Sequence, residues 1–366
     1  MISLMKKLRI ILDVLRCELI GKHRSINEIQ FDYPIDFVIS WVDCHDPDWL
    51  QEKEKMQSDK GLEDNGPERY RDWEQLVYWF RAVEKYAPWV RKIHFVTYGH
   101  LPKWLNTNHR KLNVVNHKDY IPEQYLPTFS SSVIELNFQR ISGLSEHFVY
   151  FNDDMFLNSE CKKQDFFNGD YPKYCSAITP LKAYGKPKVH YHKILNILSL
   201  MNGYFDIHKC IHKHPELWFN KCNKKNYKHI RRAYRENYLQ GMNHTHLGMP
   251  LRKTTIKKVW EVFPEALEIT CNNKFRSLED VQQQMFHLWD ILNGEFYPVS
   301  TTFFGKYYTD LVGQIDEVEG FMLKEKGLMI CLNDTDHISN SEFEYLKKRI
   351  NKIFEKKFPE KSSFEL

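Results

Sequence analysis

Directly after Pro34 the chain reads Ile35-Asp36-Phe37-Val38-Ile39-Ser40-Trp41-Val42, a β-branched and aromatic run that stops at Asp43 and the Asp46-Pro47 turn signal. Such a run reads as a buried first strand. Downstream, Tyr70, Trp73, Val77, Phe80 and Val83 recur every three or four positions until Pro88 stops them, which predicts a helix over residues 69–86. Lys92-Ile93-His94-Phe95-Val96-Thr97, ending at Gly99, gives a second strand, and Leu112-Asn113-Val114-Val115 a third. Strand, helix, strand is the signature of a parallel βαβ unit, and it places the chain in the α/β class. Ser131 or Ser132 can cap a helix carrying Ile134, Phe138 and Ile141 as far as Gly143. His147-Phe148-Val149-Tyr150-Phe151 then forms another strand, followed at once by Asn152-Asp153-Asp154.

The polar residues 51–68 read as a surface connection. Beyond about Cys161 the strand pattern fades into a basic, aromatic stretch with Lys221, Lys224, Lys225, Lys228, Arg231, Arg232 and Arg235. Helical periodicity returns over residues 278–292 and 341–354, with Ser341 as the expected cap of the second and Glu344 at its capping-box position. The second part of the chain is therefore expected to be largely helical.

Of 366 residues 42% are hydrophobic, enough for a substantial core. Lys+Arg 52 against Asp+Glu 48 leaves a formal charge of only +4, so bulk electrostatics give no support for nucleic-acid binding. Aromatic residues, at 14%, suit sugar faces and large cores alike. The 8 cysteines lack CxxC spacing, and no signal peptide precedes them, which points to reduced thiols in a cytosol. Charges interrupt the first twenty residues too often for a membrane span. Leu4, Leu8, Ile11, Leu12 and Leu15 nevertheless fall at helical spacing beside basic residues, which suits either an anionic membrane surface or a packed terminal helix.

Open α/β sheets bind ligands at the carboxyl ends of their strands, where Asp43, the Thr97-Gly99 turn and Asp153-Asp154 all fall. The acidic pair offers hard oxygen ligands for Mg2+ or Mn2+, although Asp also serves in ordinary turns. Consecutive extended residues point to opposite faces, so Asp154 is expected as the metal ligand and Asp153 as its support. Trp41, Asp43 and Asp46 combine a ring with two carboxylates, a set suited to a base and ribose. In His244-Thr245-His246 both imidazoles share one face of an extended stretch, and His246 can act as a general base. Asn273-Lys274-Phe275-Arg276 offers a guanidinium for phosphate oxygens. Cys210, His212, His214 and Cys222 have zinc-binding chemistry, but their spacing matches no common structural site. No GxxxxGK[ST], GxGxxG or GxSxG motif is present, so kinase-type ATP use and serine hydrolysis lose support.

Taken together, these residues resemble the Stealth family, which includes bacterial capsular polysaccharide phosphotransferases and the catalytic subunit of lysosomal N-acetylglucosamine-1-phosphotransferase. The resemblance covers four blocks: residues 35–47, residues 69–156 with TFSSSVIE and YFNDDMF, residues 246–276 ending in NKFR, and residues 331–365 beginning with Cys331-Leu332-Asn333-Asp334. It implies a Rossmann-like or GT-A-like, mostly parallel sheet with a largely helical second region. It also implies transfer of a sugar 1-phosphate from a UDP-sugar to a glycan or lipid-linked glycan hydroxyl, with release of UMP.

By this resemblance His246, Arg276, Asp43 and Asp153 carry the catalysis. Trp41, Asp46, Ser132, Glu135 and Asn333 bind substrate, and Asp154 and Asp334 hold Mg2+ or Mn2+. A Gly common after WVD in the family is Cys44 here, and the position of Ser132 often carries Asn or His in relatives. The expected organisation is an amphipathic helix over residues 1–30, a nucleotide-sugar-binding α/β core over 31–160, a basic acceptor or accessory region over 161–240, and a helical region completing the active site over 241–366. Capsule assembly implies work at the inner face of the bacterial cytoplasmic membrane. The rival readings are a metal-dependent glycosyltransferase that releases UDP and a non-catalytic glycan-binding protein.

Overall fold

The computed structural model describes residues 2–57, 71–182, 188–335 and 338–366. Its centre is a five-stranded sheet built from β1 (Ile35–Ser40), β2 (Ile93–Thr97), β3 (Leu112–Asn116), β4 (His147–Asn152) and a fifth strand, Met249–Arg252. Two small sheets are built from β5 (Met155–Leu157), β6 (Phe167–Asn168), β7 (Tyr171–Tyr174), β9 (Tyr297–Pro298), β10 (Gly305–Tyr308) and β11 (Met329–Leu332), with Met249–Arg252 taking the label β8. The central order is β3-β2-β1-β4-β8. β1 runs parallel to both β2 and β4, and β2 parallel to β3, so the expected α/β class with a mostly parallel sheet is present. β8 is antiparallel to β4, pairing Tyr150 with Met249 and His147 with Arg252.

β1 lies at the middle of this sheet, and its side chains alternate between two apolar layers. Phe37 and Ile39 join Phe95, Val149 and Phe151 in a layer closed by the helices Leu76–Tyr86, Leu311–Leu323 and Asn340–Lys357. Val38, Val96, Phe148 and Tyr150 point into the opposite layer, closed by Val133, Leu136, Met285 and Ile256. Both faces are therefore covered, which is why β1 and β4 are buried at all but their last residue.

Several local expectations shift in the fold. The helix expected over 69–86 spans Leu76–Tyr86 instead; Glu74 adopts a left-handed backbone with φ 56°, which no continuing helix tolerates. Positions 69 and 70, and most of the polar connection at 51–68, lie outside the described residues; its first part extends the helix Pro47–Met56. The helix after the serines is only Ser131–Leu136, and Ser130 sits at its cap position without a side-chain cap bond. The chain then tightens into the 3-10 turn Phe138–Arg140. Periodicity over 278–292 yields a helix only at Gln284–Asn293. The final helix starts two positions earlier than expected, at Asn340, because Ser339 and Glu342 form the capping box rather than Ser341 and Glu344.

The N-terminal helix, Ile2–His23, lays Val14, Cys17 and Gly21 against Pro215–Trp218 and Tyr227–Glu236. A Cβ at Gly21 would stand 2.4 Å from the Pro215 carbonyl oxygen, so this contact depends on the absence of a side chain. No helix among the described residues is long and apolar enough to cross a membrane.

Candidate active site

The acidic pair occupies the corner at which the chain leaves the central sheet. β4 ends at Asn152, Asp153 and Asp154 turn, and β5 begins at Met155. β5 pairs antiparallel with β11, setting Met155 opposite Cys331. The Leu332 N–H donates to the Asp154 carbonyl at 2.9 Å. This pairing carries Cys331, Asn333 and Asp334 to the acidic turn from nearly two hundred residues away. The bend just before β8 supplies the histidine: His246 lies three residues ahead of Met249, where β8 begins its antiparallel pairing with β4 at Tyr150.

A cavity of about 810 Å³ opens there, a volume suited to a ligand of nucleotide-sugar size. Trp41, Glu135, Asp153, Asp154, His246, Arg276, Asn333 and Asp334 all line it, so most of the residues singled out in the sequence meet in one place. Asp43, Asp46 and Ser132 are absent from its lining. The Asp43 N–H donates to His100 Nε2 at 2.8 Å, and its carboxylate accepts from the His45 N–H. Asp46 Oδ1 accepts from the Trp49 N–H at 2.8 Å and caps the helix Pro47–Met56. Ser132 is buried behind the wall, where its hydroxyl accepts from Lys193 Nζ at 2.7 Å. Its neighbour Ser131 faces the cavity and accepts from Arg276 at 3.3 Å.

Asp154 divides its oxygens between two environments. Oδ2 lies 3.4 Å from His246 Nε2 and accepts from the Cys331 thiol at 3.3 Å. Oδ1 is buried without a hydrogen-bond partner. Burial works against the Asp154 anion, but the neighbouring His246, and then the thiol bond, outweigh it and hold the carboxyl below its usual range. Asp153 is exposed toward the cavity. Crowding by the protein around it, then the Asp154 charge, pushes its carboxyl up to about 7. The two adjacent carboxyls are thus shifted in opposite directions, the arrangement by which paired acids take separate roles.

Behind them lies a buried polar cluster. Tyr150 donates to Glu135 Oε1 at 2.9 Å, and Ser40 Oγ lies 3.0 Å from the Tyr150 hydroxyl. Burial raises the Glu135 carboxyl to about 7, while Tyr150, Lys193, Arg276 and His246 pull the other way. Asp334 accepts from Arg71 at 2.8 Å and from the Trp73 indole at 3.2 Å, which commits both its oxygens to the opposite wall. Burial nonetheless lifts its carboxyl above the ordinary value.

Arg71, Lys193 and Tyr150 were not anticipated from the sequence as site residues. For Lys193 a signal existed: it sits at four-residue spacing between Val189 and Ile197, on the buried stripe of the helix Val189–Tyr204. A lysine in such a stripe needs a counter-charge or a polar opening, and this one has Asp280 Oδ2 at 3.7 Å and the cavity.

Asp154, His246 and Cys331 form a group whose donor atoms all lie within 4.8 Å of one another. Together with the partnerless Oδ1 of Asp154, the group fits a divalent cation. The carboxylate is a donor of the kind Mg2+ or Mn2+ takes, whereas the imidazole and the thiol are softer donors.

Conserved region 2 of Stealth proteins matches residues 69–174, and conserved region 3 matches residues 245–288. A capsular polysaccharide phosphotransferase of Streptococcus pneumoniae, WcwK, is 42% identical over 336 residues, covering 90% of this chain and 98% of the relative. An exopolysaccharide phosphotransferase of Lactiplantibacillus plantarum is 37% identical over 350 residues, covering 91% and 96%. A receptor polysaccharide phosphotransferase of Streptococcus oralis, WefC, is 34% identical over 341 residues, covering 91% and 99%. The two matched regions contain the acidic turn and the His246-to-Arg276 segment, and the relatives align over nearly their whole length: the chain is an enzyme of the Stealth family of phosphotransferases.

Proposed function

We propose that this enzyme transfers a sugar 1-phosphate from a UDP-sugar to a hydroxyl of a glycan, free or lipid-linked, forming a phosphodiester and releasing UMP. One observation carries the reading. A single cavity gathers an acidic turn with a paired imidazole and, around Glu135, the cations Arg276 and Lys193, the equipment needed for a diphosphate and an attacking hydroxyl.

In this reading His246 accepts the acceptor proton. Asp154 Oδ2, 3.4 Å from Nε2, orients the imidazole for that role. The acceptor oxygen bonds to the β-phosphorus, the bond from that phosphorus to the bridging oxygen breaks, and UMP departs with the bridging oxygen and its electron pair. Arg276 and Lys193 stabilise charge on the phosphoryl oxygens. Trp41 and Asn333, both on the cavity wall, contact the donor. Asp153, protonated near neutrality, donates a hydrogen bond instead of adding a second negative charge beside the diphosphate.

Mg2+ or Mn2+, held by Asp154 with His246 and Cys331 close by, would supply neutralisation of the diphosphate. Asp334 joins such a set only if it releases Arg71 and Trp73. A lipid-linked acceptor would place the reaction at the inner face of the cytoplasmic membrane.

The test is a panel of UDP-sugars offered with glycan acceptors, with chromatography of the nucleotide and phosphorus NMR of the product. UMP together with phosphodiester phosphorus in the glycan is expected. UDP with a phosphorus-free glycan would instead establish attack at the anomeric carbon and overturn the reading.

A further inference from the structure

The N-terminal helix Ile2–His23 has two apolar faces, and only one of them is used. Val14, Cys17 and Gly21 are buried against the body. On the other side Leu8 is 56% exposed, Leu12 59%, Leu15 48% and Leu19 60%. Their spacing of four, three and four residues makes one continuous stripe, and Met5 extends it by a further turn. Leucines scattered singly over a surface need no explanation, but a stripe running the length of a helix does.

The borders of this stripe are cationic. Arg9 and Arg16 each follow a stripe leucine by one position and are exposed, as are Lys7 and Lys22. Glu18 would be the acidic residue on the far flank, but it is buried and taken up by Arg231 at 2.5 Å and Lys22 at 2.5 Å. Arg231 belongs to the neighbouring helix Tyr227–Glu236, which itself exposes Lys228, Arg232 and Arg235. The helix that carries the basic run the active site does not use therefore packs beside the N-terminal helix, joined to it through Glu18 and Arg231. Asp13, half-buried, is the acidic side chain of the helix left without such a clamp.

We infer that this face docks on an anionic lipid surface, with the leucines entering the headgroup boundary and the flanking arginines and lysines meeting phosphate headgroups. Charge complementarity selects this occupant. A second copy of the chain placed on the stripe would bring Arg9 and Arg16 toward their own counterparts, whereas an anionic bilayer offers the apolar depth and the opposite charge together. The helix would lie in the plane of the interface, since it is too charged to cross. Docking would hold the enzyme where a lipid-linked acceptor is presented, but lipid binding itself does not depend on the reaction.

Flotation of the full chain with vesicles tests the inference directly. Binding to phosphatidylglycerol-rich vesicles is expected, together with weak binding to pure phosphatidylcholine and loss of binding at high salt. Arg9→Glu with Arg16→Glu should weaken the interaction by at least about fivefold per cation removed. The triple variant Leu12→Asn, Leu15→Asn, Leu19→Asn should abolish it while the melting temperature holds. Turnover of a water-soluble glycan acceptor by the triple variant should equal that of the unaltered chain, so a failed docking face and a failed catalytic reading give different results. Equal binding by the triple variant, or no binding to either vesicle, would overturn the inference. So would a dimer in gel filtration that the triple variant dissociates, which would assign the stripe to a second copy.

Discussion

His246 Nε2 stands 3.4 Å from Asp154 Oδ2, although Asp154 lies in the turn after β4 and His246 in the bend before β8, with the helices between Lys163 and Glu236 separating them in the chain. The contact orients the imidazole, and the neighbouring ring helps hold the Asp154 carboxyl below its usual range. Replacing His246 with Ala should reduce kcat by about 10²–10⁴-fold, the usual contribution of a positioned base. The unfolding midpoint should hold, because His246 is only half-buried. Asp154→Asn should produce a comparable loss and also weaken metal binding. UMP release measured alongside thermal unfolding checks both, and undiminished turnover in the Ala variant would remove His246 from the reaction.

Metal dependence follows from the partnerless Oδ1 of Asp154 and the imidazole and thiol beside it. Chelation should abolish UMP formation, and added Mn2+ or Mg2+ should restore it. Calorimetry should show Mn2+ binding more tightly than Mg2+, with Cys331→Ser narrowing the difference because the softer donor is gone. Full activity in the presence of chelator would count against an ion at this site.

Lys193 is predicted to grip a phosphate of the donor. Lys193→Met should raise the donor KM by about ten- to hundredfold, the value of a charged hydrogen bond. UMP binding should weaken by a similar factor in calorimetry. Unchanged UMP affinity with a lowered melting temperature would assign Lys193 to its buried pairing with Ser132 and Asp280 alone.

Acid stability should depend on Asp36. Burial alone would raise its carboxyl, but bonds from His94 at 3.0 Å, from Arg91 and from the Ser145 N–H at 2.8 Å outweigh burial and hold it below the usual range. A carboxyl depressed by folding adds stability above its unfolded value of about 4, and that stability is lost as pH falls through the folded value. Urea midpoints should therefore drop on acidification below about pH 4. Asp36→Asn should flatten this dependence and cost about 1–3 kcal/mol at neutral pH, since it leaves the buried donors of His94 and Ser145 short of a charged acceptor while Arg91 stays partly solvated.

Gly248 sets how closely the His246 segment approaches the sheet. A Cβ there would lie 2.6 Å from the Phe151 ring and 2.8 Å from the Met329 sulfur, both in the packed core. Gly248→Ala should cost about 1–3 kcal/mol and reduce kcat by shifting His246. Chemical denaturation and steady-state kinetics on the same variant test the two effects together.

How far the sequence could be read depended on the range of the interactions involved. The inner strands β1, β2 and β4 are buried along nearly their whole length, so their apolar composition identifies them. Helix limits were less legible. A left-handed Glu74 and a capping box at Ser339 depend on local backbone geometry that competes with periodicity, and in the last helix two serines offered equivalent caps.

Among site residues, Asp153 and Asp154 were visible because a strand end is a local feature. Asp43 and Asp46 looked equally suitable by that criterion, yet the fold uses Asp46 as a helix cap and turns Asp43 toward His45 and His100. By itself the sequence determined the parallel core, the acidic turn that follows β4, and the family. Only the tertiary structure decided which residues meet that turn. The pairing of β8 with β4 brings the bend that carries His246, and the pairing of β11 with β5 brings Cys331. These are pairings between distant segments, fixed by hydrogen-bond register and core packing, and neither leaves a mark on the residues nearby in the chain, whereas Lys193 on a buried helix stripe did.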